Sequence, residues 1–357
     1  MVPNLATLVA DHLSLLSYRT QRGDRSGVRW SECPQVGGSP LLGTNQGFGD
    51  RTMAAASPHP REIIGVDVGG TKTHLALGYG ESVTKERTVS TPTWRTHSLR
   101  DNAVALHRLI SEWLGPEALR VPLVVGAHGC DSTEQCDDFA AALRKYFVGG
   151  VLVVNDAELL VPAAAQRDGI GLIAGTGSIA VARMDGGLVT AGGWGWVLGD
   201  EGGAAGLVRE AARAVLGQLD SGEPADPLGR RLLTAFEATD GAQLAMAVTA
   251  SASPAWLGEW AIEIFDAADE GSALAVEVIG EAARQLAALV DRLLHRGVAA
   301  DQVVAGGSVL LGQRRLQDAF VAALRGHHPD VTVHLLDRAP VLGALALGDS
   351  LTAPKGS

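Results

Sequence analysis

Residues 62–80, EIIGVDVGGTKTHLALGYG, decide the fold of this chain. Apolar residues at positions 63, 64, 66 and 68 predict one strand, and residues 73–77 predict a second. The glycines between the two strands predict a tight hairpin turn. A plain hairpin leaves Asp67 unexplained, because a carboxylate within an apolar strand is costly unless it is paired or binds a metal. The alternative is a phosphate-binding hairpin, with Asp67 holding hydrated magnesium and the turn contacting a nucleotide through Gly69, Gly70, Thr71, Lys72 and Thr73.

The composition excludes several classes of protein. The chain has 357 residues, 46% of them apolar but only 4% aromatic, which favours alanine-rich helices on an α/β scaffold in two domains. A net charge of −11 disfavours non-specific binding to nucleic acid or to an anionic membrane. No apolar run reaches the length of about 18 residues that spans a bilayer, and the N-terminus is a poor signal peptide. We therefore expect a cytoplasmic protein with no nucleic-acid or membrane partner.

Residues 1–60 differ from the rest of the chain. From residue 21 onward this segment is rich in Gly, Ser, Pro and Arg and shows neither strand nor helix periodicity. Such a segment buries too little apolar surface to offset its ordering entropy. It is predicted to be a disordered N-terminal extension, and Met53 is an alternative start.

A second hairpin and an aromatic loop follow between residues 171 and 206. Residues 171–174 and 179–183 predict two strands, and their connection predicts a turn formed by Gly175, Thr176, Gly177 and Ser178. The loop that follows, GGWGWVLGDEGGAAG at residues 192–206, combines glycines, tryptophans and carboxylates. One interpretation makes Asp200 a helix N-cap and Trp196 a core residue. The alternative is a sugar-binding loop, in which Gly193, Trp194 and Gly195 wall the ring while Asp200 and Glu201 accept hydrogen bonds.

Two further groups of polar residues stand at predicted strand ends. The strand at residues 151–154 leads into Asn155 and Glu158, which are spaced as a capping box. Asp156 lies in the first turn after it, where it either favours the helix dipole or serves as a general base. The strand at residues 121–125 is followed by His128 and Asp131. Because ligands bind at the carboxyl ends of strands in open α/β sheets, these residues are candidate substrate contacts, although Asp131 could instead cap the next helix.

Together the glycine motifs resemble a known superfamily. DVGGTKT at 67–73, GTGS at 175–178 and AGGS at 305–308 occur in the order of the nucleotide-binding stretches of the sugar kinase, Hsp70 and actin superfamily. Within it, residues 192–206 resemble the BadF/BadG/BcrA/BcrD-type ATPases, which include N-acetylglucosamine and glucosamine kinases. The resemblance implies an α/β fold of two actin-like (ribonuclease H-like) lobes with a nucleotide- and sugar-binding cleft between them. It assigns residues 61–168 and the terminal helix 340–352 to the first lobe, and residues 169–339 to the second.

The resemblance also implies an activity: an ATP-dependent kinase that phosphorylates the 6-hydroxyl of an amino sugar. The resemblance implies that Asp156 is the base and that the enzyme uses ATP and Mg²⁺. It also implies that Gly306, Gly307 and Ser308 contact the adenosine and that Asn155 contacts the sugar. Mammalian-type N-acetylglucosamine kinases have Asn after Gly-Thr-Gly-Ser, where this chain has Ile179. Asp131, Asp200 and Glu201 are carboxylates that could pair with the charged amine of glucosamine. With the loss of the Asn, they favour glucosamine as the substrate over the alternative, N-acetylglucosamine.

A further alternative is an ATPase that activates 2-hydroxyacyl-CoA dehydratase or benzoyl-CoA reductase systems through an iron–sulfur cluster. Its relatives place two cysteines around a subunit interface, whereas Cys130 and Cys136 lie only six residues apart. The sequence leaves the oligomeric state open, with a homodimer as one alternative.

Overall fold

The computed structural model describes residues 62–251 and 253–352. The predicted disordered extension at 1–60 and the alternative start at Met53 lie outside the described residues. Within the described ranges, no helix is both long enough and apolar enough to cross a bilayer.

The described chain is built on two mixed five-stranded sheets with the same topology. The first sheet has the order β3-β2-β1-β4-β5 and the second the order β10-β9-β6-β7-β8. In each, a central strand pairs with an antiparallel hairpin partner on one side and a parallel strand on the other. The strands are β1 (Ile63–Val68), β2 (Lys72–Tyr79), β3 (Ser82–Ser90), β4 (Leu123–Ala127), β5 (Val151–Val154), β6 (Ile170–Ala174), β7 (Ser178–Met184), β8 (Gly187–Gly192), β9 (Gln302–Gly306) and β10 (Thr332–Leu335).

Twelve α-helices connect and cover the sheets in the described part of the chain. They are α1 (Leu99–Leu114), α2 (Thr133–Leu143), α3 (Leu160–Ala163), α4 (Ala204–Asp220), α5 (Pro227–Ala235), α6 (Gly241–Thr249), α7 (Pro254–Gly258), α8 (Ile262–Asp269), α9 (Ala273–His295), α10 (Ser308–Gly312), α11 (Arg314–His327) and α12 (Val341–Thr352). Four short 3₁₀ helices add Thr91–Thr93, Pro116–Arg120, Asp156–Leu159 and Glu259–Ala261. Helix α2 begins at Thr133 because the Ser132 side chain accepts a hydrogen bond from the Gln135 N–H and caps it.

The terminal helix α12 packs on the first sheet although it follows the second in sequence. It contacts β1, β2 and β4. Gly65 permits this approach, because a Cβ at that position would lie 3.1 Å from the carbonyl oxygen of Val341. The boundary near residue 168, with α12 completing the first lobe, remains our proposal, and this packing supports it.

Each sheet has its own apolar core. Around the first sheet the core includes the buried side chains of Leu106, Ile110 and Phe139. Around the second sheet it is formed largely by alanine and leucine from α4 and α9, including Ala211, Ala283 and Leu286. Small side chains let these helices pack closely, which explains how a chain with few aromatic residues builds two cores.

Candidate active site

A cavity of about 460 Å³ is lined by residues of both sheets and their loops. It collects most of the side chains and turns predicted to bind ligands. The predicted residues that line it are Asp67, Gly69, Gly70, Thr71, Lys72, His128, Asp131, Asp156, Gly175, Thr176, Gly177, Ser178, Gly193, Gly195, Asp200, Gly307 and Ser308. Their convergence makes this cavity the candidate active site.

The two glycine turns face each other across the cavity. In the first turn the Gly69 N–H donates to the Lys72 carbonyl at 3.0 Å, which closes the hairpin. A Cβ added to Gly70 would lie 3.7 Å from the Thr176 hydroxyl of the second turn. The two hairpins are therefore placed to hold one ligand between them.

Thr73 corrects the prediction for the first turn. Its side chain is fully buried, and its hydroxyl is 2.8 Å from the Thr91 hydroxyl and accepts a hydrogen bond from the Trp94 indole N–H. Because alternate residues of a strand point to opposite faces, Thr73 faces the core and is absent from the cavity lining. It supports the hairpin instead of binding the nucleotide.

Buried negative charge dominates the base of the cavity. Burial, reinforced by the charge of Asp156, raises the pKa of Asp67 to about 7, although Lys72 and His128 oppose the shift. The Nδ1 atom of His128 lies 3.6 Å from an Asp156 carboxylate oxygen, and its interaction with Asp156 raises the pKa of the imidazole. These acids therefore favour a cationic ligand.

Asp156 is held by the local structure that the sequence predicted. It begins a 3₁₀ helix (Asp156–Leu159) directly after β5, and Asn155 and Glu158 form the predicted capping box around it. The Asp156 carboxylate is 7% exposed, and the cavity is the open side of the residue. A proton-accepting role for Asp156 remains a proposal.

Asn155 is placed differently from its prediction as a substrate contact. It is fully buried and does not line the cavity. Its side-chain N–H₂ donates to the Cys130 carbonyl at 3.1 Å and to an Asp131 carboxylate oxygen at 2.9 Å. Asn155 therefore orients Asp131, and Asp131 itself faces the cavity, while Ser132 caps α2 instead.

The second glycine turn is packed tightly by its own lobe. A Cβ on Gly177 would lie 2.6 Å from an Asp200 carboxylate oxygen, and another Asp200 oxygen accepts from the Ser178 N–H at 3.3 Å. Asp200 has a φ of 59°, and burial raises its pKa. The interpretation of Asp200 as a helix cap is wrong, since Gly203 occupies the N-cap of α4.

Strand β9 contributes only part of the predicted adenosine turn. Gly307 has a φ of 99°, and a Cβ there would lie 2.4 Å from the Ala174 carbonyl oxygen. Gly307 and Ser308 line the cavity, whereas Gly306 is buried at the end of the strand and does not. A Cβ on Gly306 would meet the Leu160 side chain at 3.0 Å, and the predicted adenosine contact of Gly306 stays a prediction.

The aromatic loop divides its residues between two cavities. Trp196 lines the candidate active site, whereas Trp194 is 73% exposed and does not. The Glu201 side chain lines a separate cavity between α4 and α9. Trp194 and Glu201 therefore do not line the candidate active site in this structure, and their predicted sugar contacts stay predictions.

Three arginines that sequence reasoning did not select support the site. Arg95 donates to the His128 carbonyl, and Arg209 donates to the carbonyl oxygens of Trp196 and Gly199. Arg183 pairs with Glu158 of the capping box. Each of the three arginines bonds to a backbone carbonyl or a buried carboxylate at least ten residues away in sequence. No local sequence motif predicts such a contact.

The donor set suits a hard divalent cation. Asp67 offers a carboxylate oxygen, and its raised pKa reflects a negative charge that is poorly compensated inside the protein. Magnesium is held by one or two carboxylates and keeps several waters or phosphate oxygens as its other ligands. Within residues 62–251 and 253–352, no three His, Cys, Asp or Glu side chains converge as a metal site.

Comparisons with known proteins agree with this arrangement. The sequence profile of the BadF/BadG/BcrA/BcrD ATPase family matches residues 64–353. An N-acetylmuramic acid/N-acetylglucosamine kinase of Clostridium acetobutylicum is 32% identical over 166 residues, which cover 44% of this chain and 54% of the relative. The match thus spans about half the length of that curated relative.

Solved structures share the fold. A candidate N-acetylglucosamine kinase of Porphyromonas gingivalis aligns over 82% of this chain and all of its own, with a TM-score of 0.61 and 17% identity. A candidate N-acetylglucosamine kinase of Chromobacterium violaceum aligns over 81% of this chain and 99% of its own, with a TM-score of 0.58 and 23% identity. The prediction of two actin-like α/β lobes is confirmed.

Proposed function

Because the chain belongs to the BadF/BadG/BcrA/BcrD ATPase family, we propose that it is an ATP-dependent amino-sugar kinase. The proposed reaction transfers the γ-phosphate of ATP to the 6-hydroxyl of glucosamine. The observation that carries it is the cavity in which two glycine turns face each other above the acids Asp67 and Asp156.

The phosphates of ATP are the ligand proposed for the two turns. Backbone N–H groups of glycine turns bind phosphate oxygens without needing many basic side chains. Lys72 and the hydroxyls of Thr71 and Thr176 add polar groups to the same cavity. Gly307 and Ser308 lie beside the second turn, where a Cβ on Gly175 would be 3.6 Å from the Ser308 nitrogen, and they are proposed to contact the adenosine.

Asp156 is proposed to accept the proton of the sugar hydroxyl as the oxygen attacks. A positioned carboxylate is a sufficient base, because phosphoryl transfer depends mainly on positioning and on stabilising charge. Asp67 is proposed to hold the hydrated Mg²⁺, and when bound this ion neutralises phosphate charge. His128, close to Asp156, is placed to restrain that carboxylate.

The proposed preference for glucosamine depends on two other acids. Burial, followed by the nearby charge of Asp156, raises the pKa of Asp131, and burial raises that of Asp200. An ammonium group beside either carboxylate would offset the unfavourable burial of its charge. Ile179, which lines the cavity, supplies no hydrogen-bonding group for an acetamide.

N-acetylglucosamine is the second candidate substrate, and the relative from Clostridium acetobutylicum favours it. That relative is named for N-acetylmuramic acid and N-acetylglucosamine. The third alternative, an activator ATPase with a cluster-binding cysteine pair, has less support. Both Cys130 and Cys136 are buried, and the Cys136 thiol lies 3.5 Å from the Cys130 carbonyl oxygen of the same chain.

A panel of sugars tests the proposal. ATP turnover should be measured with glucosamine, N-acetylglucosamine, N-acetylmuramic acid and glucose. We expect glucosamine to have the highest kcat/KM, and Asp131→Asn to lower that value about tenfold while changing the value for N-acetylglucosamine much less.

The exposed Asp138 on α2 provides the matched control, because Asp138→Asn removes a carboxylate at the surface. Turnover only with acetylated sugars would contradict the preference for glucosamine. Turnover with none of the four sugars would contradict the kinase proposal.

A further inference from the structure

A buried acid next to Asp156 joins the two sheets. The Glu158 side chain is only 7% exposed, and one of its carboxylate oxygens accepts the Asn155 backbone N–H at 2.9 Å. The other oxygen accepts a hydrogen bond from the Nε of Arg183. Glu158 follows β5 of the first sheet, whereas Arg183 lies on β7 of the second. The capping box of the Asp156 turn is therefore completed by the opposite lobe.

Asn155 links the capping box to Asp156 and Asp131 of the candidate active site. Its side-chain oxygen accepts the Ala157 N–H at 2.9 Å, which fixes the turn containing Asp156. Its side-chain N–H₂ donates to Asp131 at 2.9 Å. Because Asn155 is fully buried and its side chain is satisfied by these contacts, a shift of its backbone would move both acids.

The same turn is seated sterically on the second sheet. Ala157 packs against Ile179 and Val181 of β7. On the adjacent strand, a Cβ added to Gly171 would lie 2.2 Å from the Ala157 carbonyl oxygen. The turn therefore contacts the second lobe through backbone and apolar groups, and the pair of Arg183 and Glu158 is its charged contact.

We propose that Arg183 and Glu158 form a positioning pair that sets Asp156 and Asp131 relative to the phosphate-binding hairpin of the second sheet. Strand β7 starts at Ser178 in the second glycine turn and reaches Arg183 five residues later. One strand thus connects the turn proposed to hold phosphate with the group that orients the proposed base. This inference rests on the proposed kinase function.

The test compares two Arg–Glu pairs. Arg183→Gln breaks the ion pair with Glu158, beside Asp156. The control, Arg338→Gln, breaks the ion pair between Arg338 and Glu81, which are 2.7 Å apart and do not line the candidate active site. We expect Arg183→Gln to lower kcat about tenfold with the KM for ATP changed less than twofold, because misplacement of reacting groups lowers kcat. Arg183→Lys should recover most of the loss, and Arg338→Gln should match wild type.

Hydrogen exchange supplies a readout that does not depend on sugar phosphorylation. In Arg183→Gln, the amides of Asn155 and Ala157 should exchange about tenfold faster than in wild type, because the capping box loses its support. Glu158→Gln should act in the same way, and the double variant should be no worse than either single variant. The exchange measurement on Glu158→Gln remains decisive if Arg183→Gln proves hard to purify.

Unchanged exchange at Asn155 and Ala157 would overturn the positioning role, as would an equal loss of kcat in Arg338→Gln. A rise in the KM for ATP as large as the fall in kcat would also overturn it. If wild type phosphorylates no sugar, the kinase proposal fails, and the exchange data alone then decide whether the pair orients this turn.

Discussion

Asp156 and Asp337 occupy equivalent positions in two sheets of the same topology. Each is the second residue after the parallel edge strand of its sheet, Asp156 after β5 and Asp337 after β10. The Asp156 side chain is 7% exposed and faces the cavity beside His128, whereas that of Asp337 is 94% exposed. An identical residue at an identical topological position is therefore a candidate catalytic group in one lobe and a solvated surface acid in the other.

The difference extends to the hairpins. Asp67 is the second-last residue of β1, and its counterpart on β6 is Ile173. The first sheet thus concentrates its charge at the strand ends, and the second supplies glycine turns and an apolar wall. Both lobes thus contribute a glycine turn to the cavity, and the first lobe adds Asp67 and Asp156.

The largest expected effect separates the two equivalent aspartates. Asp156→Asn should lower kcat by a factor of about 10²–10⁴, because the amide cannot accept the hydroxyl proton. Asp337→Asn should leave kcat unchanged. Steady-state kinetics with the best sugar provides the measurement. Circular dichroism should show both variants folded, because the Ala157 N–H that donates to the Asp156 carboxylate at 3.1 Å also donates to the Asn155 side chain at 2.9 Å. Near-normal turnover of Asp156→Asn would leave that residue with a structural role only.

The next effect concerns Asp67, whose pKa is raised in the folded protein to about 7 from 3.8. The folded state holds this proton more tightly than the unfolded state, so the associated stability is present below about pH 4 and is lost as the pH rises to about 7. Without magnesium, Asp67→Asn should therefore be more stable than wild type at pH 8 by about 2 kcal/mol, and should show little difference at pH 4.

Urea unfolding at the two pH values measures this difference. Kinase activity at limiting magnesium should respond in the opposite sense and fall in wild type as the pH drops, because a protonated Asp67 is a poor magnesium ligand. An equal stability change at both pH values would contradict the role of the buried charge.

A smaller effect distinguishes the two glycine turns. Gly177→Ala should destabilise the protein by about 1–3 kcal/mol, because its Cβ would lie 2.6 Å from the Asp200 carboxylate. Gly70→Ala should change stability by less than about 0.5 kcal/mol, since the nearest atom to its Cβ is 3.7 Å away across the cavity. Thermal unfolding of both variants makes the comparison. Equal destabilisation would show that the second turn is no more tightly packed than the first.

The smallest expected effect is that of replacing Trp194 in the aromatic loop. Trp194→Ala should change the sugar KM by less than about twofold and stability by less than about 0.5 kcal/mol, because the ring is 73% exposed. Trp196→Ala should raise the sugar KM about tenfold, since this side chain lines the cavity. A larger effect at Trp194 would mean that the loop moves over the sugar when substrate binds.

Much of the fold and part of the site followed from local patterns. Alternating apolar residues and glycine turns predicted β1, β2, β6 and β7, and the spacing of Asn155 and Glu158 predicted the capping box. Local chemistry carried no information on which face of a strand or loop meets the cavity. Local patterns therefore predict Thr73 at the nucleotide and Trp194 at the sugar, although the Thr73 side chain faces the core and the Trp194 ring faces solvent.

The sequence by itself determined the two hairpins, the capping turn and the order of the glycine motifs, because each depends on residues adjacent along the chain. Only the tertiary structure decided which of two equivalent aspartates is buried, and that Arg183, Arg209 and Arg95 support the site. These properties depend on contacts between residues that are separated in sequence, within one lobe for Arg95 and Arg209 and between the two sheets for Arg183. Burial in the folded protein raises the pKa of Asp67, and no pattern within its own strand encodes that shift.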